Sequence, residues 1–107
     1  MQEQLPDEND PELLRQKLAL ETATIPWREL ERFHARGVVV QASESLDLVE
    51  VGYQLTQDNK PQVEQWMNSG ELGSVSDADA QAWHESNREV WALVIAPWVL
   101  VQKDKPA

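Results

Sequence analysis

A chain of 107 residues is long enough for one domain and too short for two ordinary ones. It has no cysteine, which excludes a disulfide framework, thiolate catalysis and cysteine-bound zinc. Its net charge of −10 repels phosphate backbones and anionic lipid, so neither nucleic acid nor a membrane surface is an expected partner.

The first residues carry Glu3, Asp7, Glu8, Asp10 and Glu12 without a base. They lack the basic start and apolar run of a secretory signal. The longest uncharged apolar run, Val90 to Val101, is too short to cross a bilayer as a helix. A cytoplasmic protein is therefore expected. Residues 1–9 are too polar to order themselves and read as a flexible acidic tail. Residues 10–103 read as one globular domain, with a short tail at 104–107.

Asp10-Pro11 has the form of a helix start, an N-cap followed by proline in the first turn. Leu13, Leu14 and Leu18 place an apolar stripe on the helix that follows, to about Thr22. Thr24-Ile25-Pro26 reads as the entry to a second helix, with Trp27, Leu30, Phe33 and His34 at helical spacing and Gly37 as its stop. Val38-Val39-Val40 reads as a short buried strand. Ser43 and Ser45 offer caps for a third helix, whose apolar face is Leu48, Val49, Gly52, Leu55 and Thr56 and whose acidic face is Asp47, Glu50 and Asp58. Asn59-Lys60-Pro61 starts a fourth, with Val63, Trp66 and Met67 on its apolar side and Gly70 closing it. Glu71 to Val75 is a connection with a brief extended piece. Ser76-Asp77-Ala78-Asp79 opens a fifth helix bearing Ala80, Trp83 and Asn87.

From Val90 the period changes to a continuous apolar run, read as β structure. Fully extended, it would span ~40 Å at roughly 3.3 Å per residue, against a radius of gyration near 13 Å for a domain of this size. It must bend at Pro97 or project. Two strands with a turn at Ala96-Pro97 satisfy this, and so does one bent edge strand. The expected fold class is α+β, with four or five short helices packed on one side of a small two- to three-stranded sheet.

Chemistry-bearing motifs are few. His84-Glu85 begins like a zincin motif, but Arg88 stands where the second histidine belongs. Asp77 and Asp79 begin like a calcium loop, but Ala82 and Arg88 occupy the glycine and bidentate-glutamate positions. No nucleophile elbow, dinucleotide fingerprint or P-loop occurs, and no catalytic residue, cofactor or metal is expected. Asp47 and Glu50 read as a solvated face rather than an acid/base pair. Arg28, Arg32 and Arg36 form a stripe on the second helix, read as solvated or as a docking stripe for an acidic partner such as the Asp47, Glu50 and Asp58 face of a second copy.

Tryptophan is over-used, five against one Phe and one Tyr. Trp27, Trp66 and Trp83 lie on apolar helix faces and read as core. Trp91 and Trp98 lie in the apolar run and are candidates for core and for an exposed contact alike. Arg88-Glu89 before that run, and Lys103-Asp104-Lys105 after it, read as gatekeepers against aggregation.

Trp27-Arg-Glu-Leu30, Gly37-Val-Val-Val40, Leu46-Asp-Leu-Val-Glu-Val51, Trp66, Trp83 and Pro97-Trp-Val-Leu-Val-Gln102 together resemble a family of short bacterial proteins known as domain of unknown function 2288. The resemblance runs from about Glu12 to Gln102. It implies a bacterial source and a small stand-alone protein, and it carries no activity, substrate or catalytic residue.

The expected function is a non-enzymatic protein-interaction module, self-associating through the Val90–Val101 run or binding another protein. Trp91, Trp98, Val94, Arg28, Arg32 and Arg36 are its candidate interface. The alternative is a small enzyme or ligand-binding protein whose pocket joins some of His34, Tyr53, His84, Asp47 and Glu50.

Overall fold

The computed structural model describes residues 10–104; both expected tails, apart from Asp104, lie outside the described residues. Their elements follow one another along the chain as α1 (Pro11–Glu21), β1 (Ala23–Pro26), α2 (Trp27–Ala35), β2 (Val39–Ala42), α3 (Leu48–Thr56), α4 (Lys60–Asn68), β3 (Leu72–Gly73), α5 (Asp77–Ser86), β4 (Glu89–Ile95) and β5 (Trp98–Gln102). Each helix but one starts on a side-chain cap. Asp10, Asp47, Asn59 and Ser76 each accept a backbone N–H of the first turn, which satisfies donors that have no partner inside the helix. Gly37 and Gly70 take φ of +77° and +82° just past α2 and α4, where the left-handed conformation ends a helix without steric cost.

The sheet has five strands, in the order β1-β4-β5-β2-β3, where two or three were expected. Two further points of the expected elements are corrected and one open alternative is decided. Ala23–Pro26 is a strand antiparallel to β4, in the register Ala23 to Ala92 and Pro26 to Glu89, and the second helix begins only at Trp27. Proline fits because β1 is an edge strand. The cap of α3 is Asp47, whose carboxylate accepts the N–H of Val49 at 3.0 Å, and neither Ser43 nor Ser45 does this. The apolar run is a hairpin, β4 and β5, and these are inner strands: β4 lies between β1 and β5, and β5 pairs in parallel with β2. Of the two solutions open in the sequence, the turn at Ala96-Pro97 is the one adopted. β1 flanks β4 over Glu89–Ala92, where its register ends.

Strands paired on both sides and apolar on both faces need cover above and below. Val90 and Ala92 of β4 and Val99 and Val101 of β5 point to one face, where Trp27, Leu30 and Trp83 of α2 and α5 cover them. The Trp27 and Trp83 rings meet edge to face, 5.0 Å apart. Leu93 and Leu100 point to the opposite face, under Leu18 of α1 and Leu48 and Val51 of α3. Helices therefore cover both sides of the sheet, not one. Trp66 of α4 and Trp91 of β4 pack, half-buried, on the α1 and α3 side.

Two residues set how closely α3 and its loop sit on the sheet. A Cβ at Gly52 would stand 2.7 Å from Leu93 Cδ2, and Leu93 is itself fully enclosed. Gln102 is completely buried. Its Nε2 donates to the carbonyl oxygens of Ser43 and Leu46, each at 2.8 Å, which fastens the loop before α3 to the end of β5. Gly52→Val is expected to cost about 1–3 kcal/mol through overpacking. Gln102→Leu is expected to cost about 1–3 kcal/mol by removing the amide donor from both carbonyls, of which that of Ser43 keeps the Leu46 N–H at 3.0 Å. Urea unfolding of each variant checks these values, and a neutral Gly52→Val would mean that α3 is free to lift from the sheet.

Candidate functional site

The side chains offered by the sequence for an acid/base site lie on opposite sides of the sheet. His84 of α5 places Nδ1 2.8 Å from Oε2 of Glu31 on α2, and His34 stacks obliquely on Trp27, 5.4 Å between centroids. These belong to the α2 and α5 layer. Glu50 and Tyr53 belong to α3, on the other face. Asp47 is occupied as the α3 cap. Among the described residues, no group of three or more His, Asp or Glu is disposed to hold a metal ion, and no helix is long and apolar enough to cross a membrane.

The expected solvated face of α3 is in fact tied to its neighbours. Arg15 of α1 donates from Nε to Glu50 Oε2 at 2.8 Å and from Nη2 to Oε1 at 3.2 Å, while its guanidinium lies 4.1 Å from the Tyr53 ring centroid. Gln54 Nε2 donates to the same carboxylate at 2.9 Å, and Asn59 Nδ2 donates to Gln54 Oε1 at 2.7 Å. Because Asn59 also caps α4, the chain of bonds links α1, α3 and α4. The Arg15 hydrogen bonds hold the Glu50 carboxyl below the usual carboxylate range, with partial burial opposing them and the Gln54 amide adding to them.

The arginine stripe is likewise engaged within the chain. Arg28 Nε donates to the carbonyl of His84 at 3.0 Å, where α5 ends. Arg32 and Arg36 lie 4.8 and 6.0 Å from the Phe33 ring.

The tip of the β4–β5 hairpin is different. Val94 is 59% exposed and Trp98 is 40% exposed. The register pairs Val94 with Val99 and Ile95 with Trp98, so the pleat sends Val94 to the α2 and α5 side and Trp98 to the α3 and α4 side. Trp91, the third candidate of the run, packs half-buried on that same side toward the middle of β4. The three do not form one patch.

Trp98 instead meets residues that the sequence reading did not connect with it. With Met67 of α4 it borders a pocket of about 230 Å³ between α3, α4 and the β2–β3 end of the sheet, lined also by Val39, Val40, Leu55, Val63 and Leu72. Gly37 and Gly73 complete the wall, and open space lies over both. Met67 is 55% exposed, and α4 buries none of its residues fully. The signal for Met67 was present: Val63, Trp66 and Met67 form a stripe at i, i+3 and i+4, which reads the same whether it is covered or left open. An apolar pocket with a tryptophan and a methionine at its mouth can take an apolar side chain, with the flexible thioether fitting itself to the shape presented.

Residues 13–103 match the family described as proteins of unknown function, DUF2288, and the chain belongs to that family. It is similar to the NMR solution structure of PA1075 from Pseudomonas aeruginosa, with 37% identity and a TM-score of 0.73, over 95% of this chain and 93% of that one. None of the curated proteins matches it.

The Arg15–Glu50 link makes a pH-dependent prediction. Glu50 titrates lower in the folded protein than in the unfolded one, so its contribution is present above the unfolded value and is lost as pH falls through the folded value. Glu50→Gln is expected to be less stable than the parent at neutral pH, with the gap closing below about pH 4. Urea unfolding at neutral and acid pH checks this; a gap unchanged in acid would show that the loss is not one of charge.

Proposed function

We propose that this member of the DUF2288 family is a non-enzymatic interaction module, and that it binds an apolar side chain of a partner protein in the pocket bordered by Trp98 and Met67. One observation carries the reading. Two of the largest exposed apolar side chains among the described residues, Trp98 and Met67, border the same apolar pocket. Exposed tryptophan and methionine at a concave apolar site are the residue types that anchor protein contacts.

Charge supports a partner that is another protein rather than nucleic acid, since the chain carries −10. The same charge weighs against a second copy, because two such molecules repel on approach. Pairing through the backbone of the Val90–Val101 run is not part of this reading, since β1 occupies the outer side of β4 over Glu89–Ala92 and β2 that of β5 over Val99–Val101. The absence of cysteine and the Pseudomonas source of a similar protein support a bacterial, cytoplasmic setting.

The test is photo-crosslinking in intact cells with benzoylphenylalanine placed at Met67, and at Glu85 on the far layer as control. A discrete adduct is expected from position 67 and not from position 85. Trp98→Ala is expected to reduce that adduct at least tenfold, as loss of a buried anchor of about 2 kcal/mol would. An adduct of twice the chain's mass would make a second copy the occupant. Equal adducts from both positions, or none from position 67, would overturn the reading.

A further inference from the structure

We infer that the segment docking at the Trp98–Met67 pocket is apolar with a basic residue beside it, supplied by a partner of net positive charge; this rests on the pocket reading above. The pocket does not end at its apolar wall. A second hollow of about 130 Å³ adjoins it and shares Leu55 and Val63 with it, and its outer lining is Asp58, Asn59, Lys60 and Glu64. An occupant whose apolar group fills the first hollow therefore lays its neighbouring residue across the second.

The charge there is acidic and unspent. Among the described residues the ion pairs are Arg15–Glu50, His84–Glu31 and Arg88–Asp104. Asp58 and Glu64 take no part in them and accept no side-chain hydrogen bond. Lys60 lies between the two and pairs with neither, so the lining carries one net negative charge within a chain of −10. The opposite rim holds no competing base. Arg36, next to Gly37 in sequence, is turned to Phe33 on the other face of the sheet. A cationic side chain on the docking segment meets the Asp58 and Glu64 carboxylates that line the second hollow. The overall field steers a basic partner inward and delays an acidic one.

The experiment is an NMR titration of the full chain, following the Trp98 indole N–H, the Met67 methyl and the Val63 methyls. The probes are three acetylated and amidated peptides, LLKK, LLQQ and LLEE. At low salt all three are expected to move these signals, with LLKK binding about threefold to tenfold more tightly than LLQQ and LLEE more weakly than both. The LLKK advantage is expected to vanish at high salt and in a chain carrying both Asp58→Asn and Glu64→Gln. Asparagine tolerates the φ of +54° at position 58, and glutamine keeps the shape of an exposed helix position, so this variant keeps its fold. Equal affinity for the three peptides would overturn the basic-segment inference and leave the pocket reading standing. No movement of the three signals with any peptide would overturn both.

Discussion

Strands β4 and β5 carry apolar side chains on both faces, and water has to be kept from both at once. Val90, Ala92, Val99 and Val101 face one way, and Leu93 and Leu100 the other. At roughly 25 cal/mol for each Å² of apolar surface removed from water, a two-sided hairpin is the largest single source of stability available to a chain of this size. The rest of the architecture answers to it. β1 and β2 pair along the hairpin's two edges, over Glu89–Ala92 and Val99–Val101, α2 and α5 cover one face, and α1 and α3 cover the other. The polar fastenings hold these covers in place. Gln102 pins the loop ahead of α3, Arg15 binds α1 to α3, and Arg28 binds α2 to the end of α5.

The candidate site is where this cover runs out. α4 packs on α3 and meets the sheet chiefly at β3, and it buries none of its residues completely. The apolar surface there is more than one thin helix can shield, and the remainder is the pocket mouth between Met67 and Trp98. Gly73 on the short β3 and Gly37 before β2 add no side chains to fill it. A carboxylate pair at the far end and a large ring at the near end give this remainder a direction.

Much of the helical framework was legible, because caps and stops are local. Asp10 caps the helix it was expected to cap, Asn59 and Ser76 cap the helices whose starts were read at them, and Gly37 and Gly70 end the helices before them. The sheet was less legible, because strands are defined by partners distant in sequence. β1 has four residues ending in proline, and nothing local marks it until β4 supplies the other side of the ladder, while the two residues of β3 lie in the Glu71 to Val75 piece read as briefly extended. The site turned on one alternative the sequence left open. In a single bent strand, positions 94 and 98 share a face. With a two-residue turn at Ala96-Pro97, position 94 pairs with 99 and position 98 with 95, and the two exposed side chains part company. Trp98 was named in advance as a contact candidate; Met67, Leu55 and Val63 were named only as members of apolar helix faces, since an apolar stripe on a helix carries no mark of which members stay uncovered.

The order of the strands has a consequence for how the molecule comes into being. β5 is the central strand; it and its hairpin partner β4 are the last described elements to be synthesised, and the strands that flank the pair, β1 and β2, precede it by dozens of residues. A ribosome making this chain extrudes all five helices before the surface they are shaped to cover exists. Their apolar faces emerge without a counterpart, and the core closes only when Gln102 has left the exit tunnel. Vectorial folding from the N-terminus, element by element, is thus denied to this topology. The acidic surface is then of use before the native state is reached, since mutual repulsion keeps waiting nascent chains on neighbouring ribosomes apart.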